Sequence, residues 1–90
     1  MEFQQEPGRI YQTDETGKTI AEVTFQEETP GVVNLNHTFV DESLRGQGVA
    51  GKLMLAVAEY AKEHGVKIHP TCSYAIKWFH THEEYQSLLQ

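Results

Sequence analysis

The sequence predicts an α+β fold in which an antiparallel meander of strands is followed by a strand–helix–strand unit and a C-terminal helix. Apolar and polar residues alternate over Thr19 to Gln26 and over Val32 to Val40, which is typical of half-buried strands. From about Gln47 to His64 the apolar residues recur with helical spacing. Because a strand that crosses through a helix to another strand normally returns parallel to it, Val66 to Cys72 is expected to lie beside Val32 to Val40.

The meander is predicted from its turns as well as its strands. Arg9 to Thr13 is expected to be a short strand, and Asp14 to Lys18 a turn, because Gly17 supplies the positive φ that such turns need. The next turn is Glu27 to Gly31. In the strand that follows, the alternation places four side chains on one face: Val33, Leu35, His37 and Phe39.

The second half of the chain is expected to contain two helices. Gly65 ends the first helix as a left-handed cap. Ser73 to about Thr81 predicts the second helix, and the tail from Glu83 to Leu89 predicts one further helical turn. There is no internal linker or repeat, so residues 1–90 are expected to form a single domain.

Composition and charge limit the classes of partner. The net charge is −6 and only seven Lys and Arg are spread over the chain, which argues against nucleic acid as a partner. No apolar run approaches the roughly 18 residues that span a bilayer, and the amino terminus has no signal pattern, so we expect a cytoplasmic protein without membrane contact. The single cysteine, Cys72, suits a reducing compartment. We expect a monomer.

The loop "RGQGVAG", Arg45 to Gly51, is the first candidate for a functional site. Unpaired backbone N–H groups at a helix start carry the positive end of the helix dipole and can hold a phosphate. Three glycines remove the β-carbons that would keep an anion away, and Arg45 adds a charged fork. The spacing is neither a Walker loop nor a G-x-G-x-x-G fingerprint. Taken alone, it equally fits a tight turn that lets the helix pack closely on the sheet.

The same loop resembles the acyl-CoA signature of the GNAT superfamily of N-acetyltransferases, Q/R-x-x-G-x-G/A, through Arg45, Gly48 and Ala50. Together with "HPTCSYAIKWF" and "HTHEEYQSLL", the chain from about Gly17 to Leu89 is similar to a subfamily of small, compact GNAT-like domains. The resemblance implies a compact, twisted mixed sheet, acetyl-CoA as the cofactor, and acetyl transfer to an unknown amine or protein acceptor.

The resemblance also implies which residues bind the cofactor. The pyrophosphate is expected on the backbone amides of one turn: Arg45, Gly46, Gln47, Gly48, Val49, Ala50 and Gly51. The pantetheine arm is expected along Thr38, Phe39 and Val40, where the sheet splays from Val66 to Cys72. Tyr74 and Lys77 are candidate walls of the cofactor site.

The catalytic prediction rests on Cys72 and His37. The superfamily usually has a Tyr as general acid about seven residues after an Asn, and here Phe79 and Cys72 occupy the matching positions. A cysteine just before a helix start is a candidate nucleophile, since the helix dipole stabilises a thiolate there; the alternative is a buried, inert thiol. His37 is a candidate general base, and the alternative is a packed, hydrogen-bonded histidine whose face a β-bulge would change.

Three classes of function follow from these residues. The first is an acyltransferase acting through a direct ternary complex or through a Cys72 thioester, and the second is an acetyl-CoA-binding module with little or no turnover. The third is an interaction domain in which the glycines serve only packing. We expect no metal site, because the nearest pair of histidines, His80 and His82, does not share a helix face.

Overall fold

In residues 3–90, which the computed structural model describes, five strands form one sheet in chain order. They are β1 (Gln4–Glu6), β2 (Arg9–Thr13), β3 (Thr19–Thr29), β4 (Val32–Val40) and β5 (Lys67–Pro70). All neighbours are antiparallel except β4 and β5, which are parallel. Helix α1 (Val49–His64) connects β4 to β5, and α2 (Ser73–Thr81) follows β5. The predicted α+β class and its order of elements are confirmed.

Element ends differ from the prediction in several places. Strand β1 was not predicted, because all of its residues are exposed and carry no alternation; the Pro7–Gly8 turn after it is the only local signal. Helix α1 begins two residues later than expected, at Val49, and β5 is shorter than predicted. The helical turn of the tail is a 3₁₀ helix over Glu83–Leu88. The predicted domain, residues 1–90, also includes residues 1 and 2, which lie outside those described.

The left-handed cap is confirmed, since Gly65 has a φ of 65° and its N–H bonds to the Ala61 carbonyl. One hydrophobic core joins the sheet to both helices. Its main members are Val23 and Phe25 from β3, Val33 and Leu35 from β4, Leu53, Met54 and Val57 from α1, and Ala75, Trp78 and Phe79 from α2. Neither helix within residues 3–90 is long and apolar enough to cross a membrane.

Strand β4 contains a β-bulge at Asn36. Leu35 lies opposite Phe25, whereas the next pair in the register is His37 opposite Thr24, so Asn36 is an extra residue on this strand. An extra residue shifts the inward and outward alternation by one position. The two faces of β4 are therefore exchanged after Leu35.

This exchange corrects the predicted face of β4. Val33 and Leu35 are buried as expected, but His37 and Phe39 lie on the opposite, exposed face, and Phe39 is 38% exposed. Thr38 and Val40 take their place on the helix-covered face, because they pair with the buried Val23 and Ala21 of β3. The bulge thus decides which residues of β4 can line a site beside α1.

Candidate functional site

A cleft of about 360 Å³ lies where the end of β4 meets the start of α1. The residues described as lining it are Thr38, Val40, Leu44, Arg45, Gly46, Gly48, Val49, Ala50, Gly51 and Tyr74. The cleft is at the carboxyl end of β4, where ligands of strand–helix–strand units usually bind. We refer to it as the first cavity.

The loop that enters this cavity is held by Asp41. The Asp41 carboxylate accepts hydrogen bonds from the backbone N–H of Ser43 at 3.0 Å and from its hydroxyl at 2.7 Å, and it caps a 3₁₀ turn over Glu42–Leu44. The Ser43 hydroxyl, more than any other group, lowers the pKa of Asp41 below its usual value. The cap is therefore charged at neutral pH and fixes the path of the chain towards Arg45.

Two glycines then give the loop its shape. Gly46 and Gly48 have φ values of 83° and 72°, which L side chains rarely adopt. Gly48 is the residue before α1 and has no side chain to cap the helix, so no capping side chain covers the first N–H groups of α1. This geometry offers an anion the backbone donors and the dipole of a helix of 16 residues.

Strand β4 also leaves one edge free beside the cavity. The parallel ladder with β5 ends at Leu35 opposite Pro70, and the Leu35 carbonyl accepts the N–H groups of Thr71 and Cys72 at 3.0 and 3.2 Å. Beyond Leu35, no described strand pairs with β4 on that side. Backbone groups along this edge from residue 38 to residue 40 are therefore available to an extended ligand with amide groups.

Cys72 lies at the junction of β4 and α2. Its sulfur accepts the Ala75 N–H at 3.4 Å as the N-cap of α2, and it lies 3.4 Å from the hydroxyl of Thr38. Thr38 lines the first cavity, whereas Cys72 itself is half-buried behind it. The thiol is therefore one side-chain contact from the cavity.

Tyr74 brings a phenol to the same cavity. It lies in the first turn of α2, one turn before Trp78, and its hydroxyl points towards Gly51. Partial burial raises the pKa of Tyr74 above its usual value. The phenol therefore stays protonated at neutral pH and is able to donate a hydrogen bond.

His37 approaches the end of β4 from the other face of the sheet. Its Nε2 lies 3.5 Å from Oε1 of Glu22, and the second oxygen of Glu22 accepts a hydrogen bond from Arg9. The side chain is 52% exposed. The structure thus places His37 and Cys72 on opposite faces of the sheet. Both residues lie beyond the last pair of the ladder between β4 and β5.

Three predicted cofactor residues do not line the first cavity. Phe39 lies on the outer face of the sheet, the Gln47 side chain donates to the Ser43 carbonyl at 3.4 Å, and Lys77 lines a different cavity on the other side of α2. Leu44 lines the first cavity but was not predicted. Its only sequence signal is that it is the one apolar residue of "DESLR".

Known proteins resemble this chain in sequence and in fold. Residues 9–88 match the family model described as GCN5-related N-acetyl-transferase. The NMR solution structure of a GCN5-like protein from Staphylococcus aureus superposes with a TM-score of 0.83 and 34% identity, over 99% of this chain and 87% of that one. A GNAT family N-acetyltransferase from Escherichia coli, YhbS, solved in complex with CoA, has a TM-score of 0.62 and 24% identity, over 87% of this chain and 44% of that one, and shares the fold.

Curated relatives match a shorter segment. The protein NATD1 of Homo sapiens and of Mus musculus is 38% identical over 47 residues, which is 52% of this chain. The match covers 42% of the human protein and 43% of the mouse protein, so this chain spans less than half the length of these relatives.

Proposed function

We propose that this chain, which belongs to the GCN5-related N-acetyltransferase family, binds acetyl-CoA and transfers the acetyl group to an amine. The observation that carries the proposal is the first cavity, in which the free edge of β4 meets the glycine turn ahead of α1. An anion site and an extended amide-binding edge in one cavity match the pyrophosphate and the pantetheine arm of CoA. The fold is also that of the E. coli relative that was solved with CoA.

The cofactor would be held mainly by backbone groups. N–H groups around Gly48 and Gly51 would bind the pyrophosphate, with Arg45 as an additional charged donor. The edge of β4 at Thr38 and Val40 would bind the amides of the pantetheine arm. Such binding tolerates an acidic protein, since the charge that matters is local to the helix start.

Cys72 is the reactive side chain that we assign nearest the acetyl group. The Cys72 thiol would attack the thioester carbonyl carbon, so that a new carbon–sulfur bond forms to Cys72 while the bond from that carbon to the CoA sulfur breaks, and the thiol proton passes to the departing CoA sulfur. The amine nitrogen would then attack the acetyl-cysteine. The carbon–nitrogen bond forms, the amine loses a proton, and the Cys72 sulfur leaves.

Two other side chains would assist these steps. The protonated phenol of Tyr74 would donate a hydrogen bond to the departing sulfur. His37 would accept the proton of the amine, reaching the acetyl group through the gap beyond the ladder of β4 and β5. A direct attack of the amine on acetyl-CoA uses the same cavity without the Cys72 step.

Two measurements test the proposal. A calorimetric titration with acetyl-CoA should show binding, and its absence would overturn the proposal. The intact mass of the protein after incubation with acetyl-CoA should then show an acetyl adduct that hydroxylamine removes and that is missing in Cys72→Ser. Transfer to an amine panel by Cys72→Ser at the wild-type rate would establish direct attack, and binding without an adduct or transfer would establish a binding module.

A further inference from the structure

A second cavity, of about 700 Å³, lies on the other side of α2 from the first. Its walls are apolar and come from β5, from α2 and from the tail: Pro70, Ile76, Phe79 and Leu89. Ile76 is 51% exposed, which is unusual for a large aliphatic side chain in a chain with a well-buried core. The volume is in the range of cavities that bind small organic molecules.

Helix α2 separates the two cavities, and its start is common to both. Ser73 and Lys77, one turn apart, line the second cavity, whereas Tyr74 lines the first. Cys72, the N-cap of this helix, is not among the residues described as lining either cavity, but it directly precedes Ser73 in the chain and its sulfur lies 3.4 Å from the Thr38 hydroxyl. Cys72 therefore lies between the two cavities.

Charge distinguishes the second cavity from the protein as a whole. The chain has 13 Asp and Glu against 7 Lys and Arg, yet no Asp or Glu is among the residues described as lining this cavity, where the carboxyl group present is the α-carboxyl of Gln90. Lys77 supplies a positive charge, and His80 lies three residues further, about one helical turn along the same side. His69 also lines the cavity, and its Nδ1 is 2.9 Å from Oε1 of Glu28, a residue that is not among those described as lining the cavity.

We propose that the second cavity binds the acetyl acceptor, and that this acceptor is an amine with an apolar body and an acidic group. The inference rests on the proposed function and adds the class of acceptor to it. The acidic group would pair with Lys77 and the apolar body would cover Ile76 and Phe79.

This assignment contrasts with the net charge of −6, which favours cationic acceptors such as polyamines. The local and the overall charge therefore predict opposite preferences. L-phenylalanine and phenethylamine distinguish these two preferences. The two compounds share an amine and an aromatic body and differ only in the carboxylate. Spermidine represents the cationic class.

The test is a titration of the ¹⁵N-labelled full chain, saturated with CoA, with each of these three probes. We expect L-phenylalanine to shift the amide signals of residues 73–80 and of Leu89, and to bind at least fivefold more tightly than phenethylamine and spermidine. Lys77→Glu should remove that preference. Lys62→Glu reverses a charge on α1 outside both cavities and should keep it.

Each other outcome overturns the inference. The inference is wrong if the shifts are confined to other residues, or if phenethylamine or spermidine binds as tightly as L-phenylalanine or more tightly. It is also wrong if Lys77→Glu keeps the preference for L-phenylalanine. Signals of residues 73–80 that move with protein concentration alone would assign the second cavity to self-association instead. Binding of acetyl-CoA is measured separately in every variant, so a failure of the proposed function is seen there and not in the probe titrations.

Discussion

At the scale of single residues, Gly51 separates the two interpretations of the glycine loop. Gly46 and Gly48 need glycine for their positive φ, but Gly51 has an ordinary helical backbone. A β-carbon at Gly51 would lie 3.5 Å from Nε1 of Trp78 and 3.9 Å from the Tyr74 hydroxyl, which is ordinary contact. Neither the backbone nor the packing of the described residues therefore requires glycine there, whereas close approach of the proposed cofactor would.

Gly51→Ala is expected to leave the fold intact and to weaken cofactor binding. Alanine is a better helix former than glycine, so the free energy of unfolding should be unchanged or higher by up to about 1 kcal/mol. Gly51 lines the first cavity and the added methyl group would lie beside the Tyr74 hydroxyl, so we expect the affinity for acetyl-CoA to fall several-fold. Urea unfolding and calorimetric titration measure the two effects. Wild-type affinity in this variant would favour the packing interpretation.

Gly48→Val is expected to block the anion site. The β-branched side chain must adopt a φ of 72°, which costs about 1–2 kcal/mol of stability, and it lies in open space beside the helix start. Gly31→Val is the matched control, because Gly31 has a φ of 83°, is equally unobstructed and directly precedes β4, at the end of that strand opposite the cavity. Both variants should lose similar stability, but only Gly48→Val should lose acetyl-CoA affinity, by tenfold or more. Equal affinities in the two would place the pyrophosphate elsewhere.

At the scale of elements, local sequence patterns predicted most strands and helices. They did not predict the features that depend on how neighbouring strands pair. The alternation in Val32 to Val40 identified the strand, but only its register with β3 reveals the bulge at Asn36. The exposed strand β1 has no apolar pattern, because its pairing with β2, and not burial against the core, holds it in the sheet. Lys77 was assigned to the cofactor because its place in the sequence cannot show which side of α2 it covers.

The bulge makes a prediction about the shape of the site. A bulge bends its strand, and Asn36 lies directly after the point where β4 and β5 stop pairing. Deleting Asn36 keeps the pairs of His37 and Thr38 with β3, so the faces stay as they are and the fold should form. The straighter strand is expected to close the gap beside β5 and reduce acetyl-CoA affinity at least fivefold, with circular dichroism close to wild type. Undiminished affinity would show that the bend does not shape the cavity.

At the scale of the whole molecule, the site is built from three elements that share one small core. The first cavity joins β4, α1 and α2, which pack together through one cluster of buried side chains. A domain of 90 residues buries a smaller fraction of its surface than a larger domain does, so its free energy of unfolding is small. A ligand that contacts all three elements should therefore add visibly to the stability of the entire fold.

Thermal unfolding is expected to show this coupling. Free acetyl-CoA at about 100 times its dissociation constant stabilises the folded state by about 2.7 kcal/mol if it does not bind the unfolded chain. For a domain of this size, each kcal/mol raises the Tm by about 4–8 °C, so we expect a shift of roughly 10–20 °C. Gly31→Val should show the same shift from its lower starting Tm, and Gly48→Val should show little. S-acetyl-N-acetylcysteamine, which has the thioester without the pyrophosphate, should give almost no shift at the same concentration, because it cannot use the start of α1. A shift as large as that of acetyl-CoA would mean that the edge of β4, and not the glycine turn, supplies most of the binding energy.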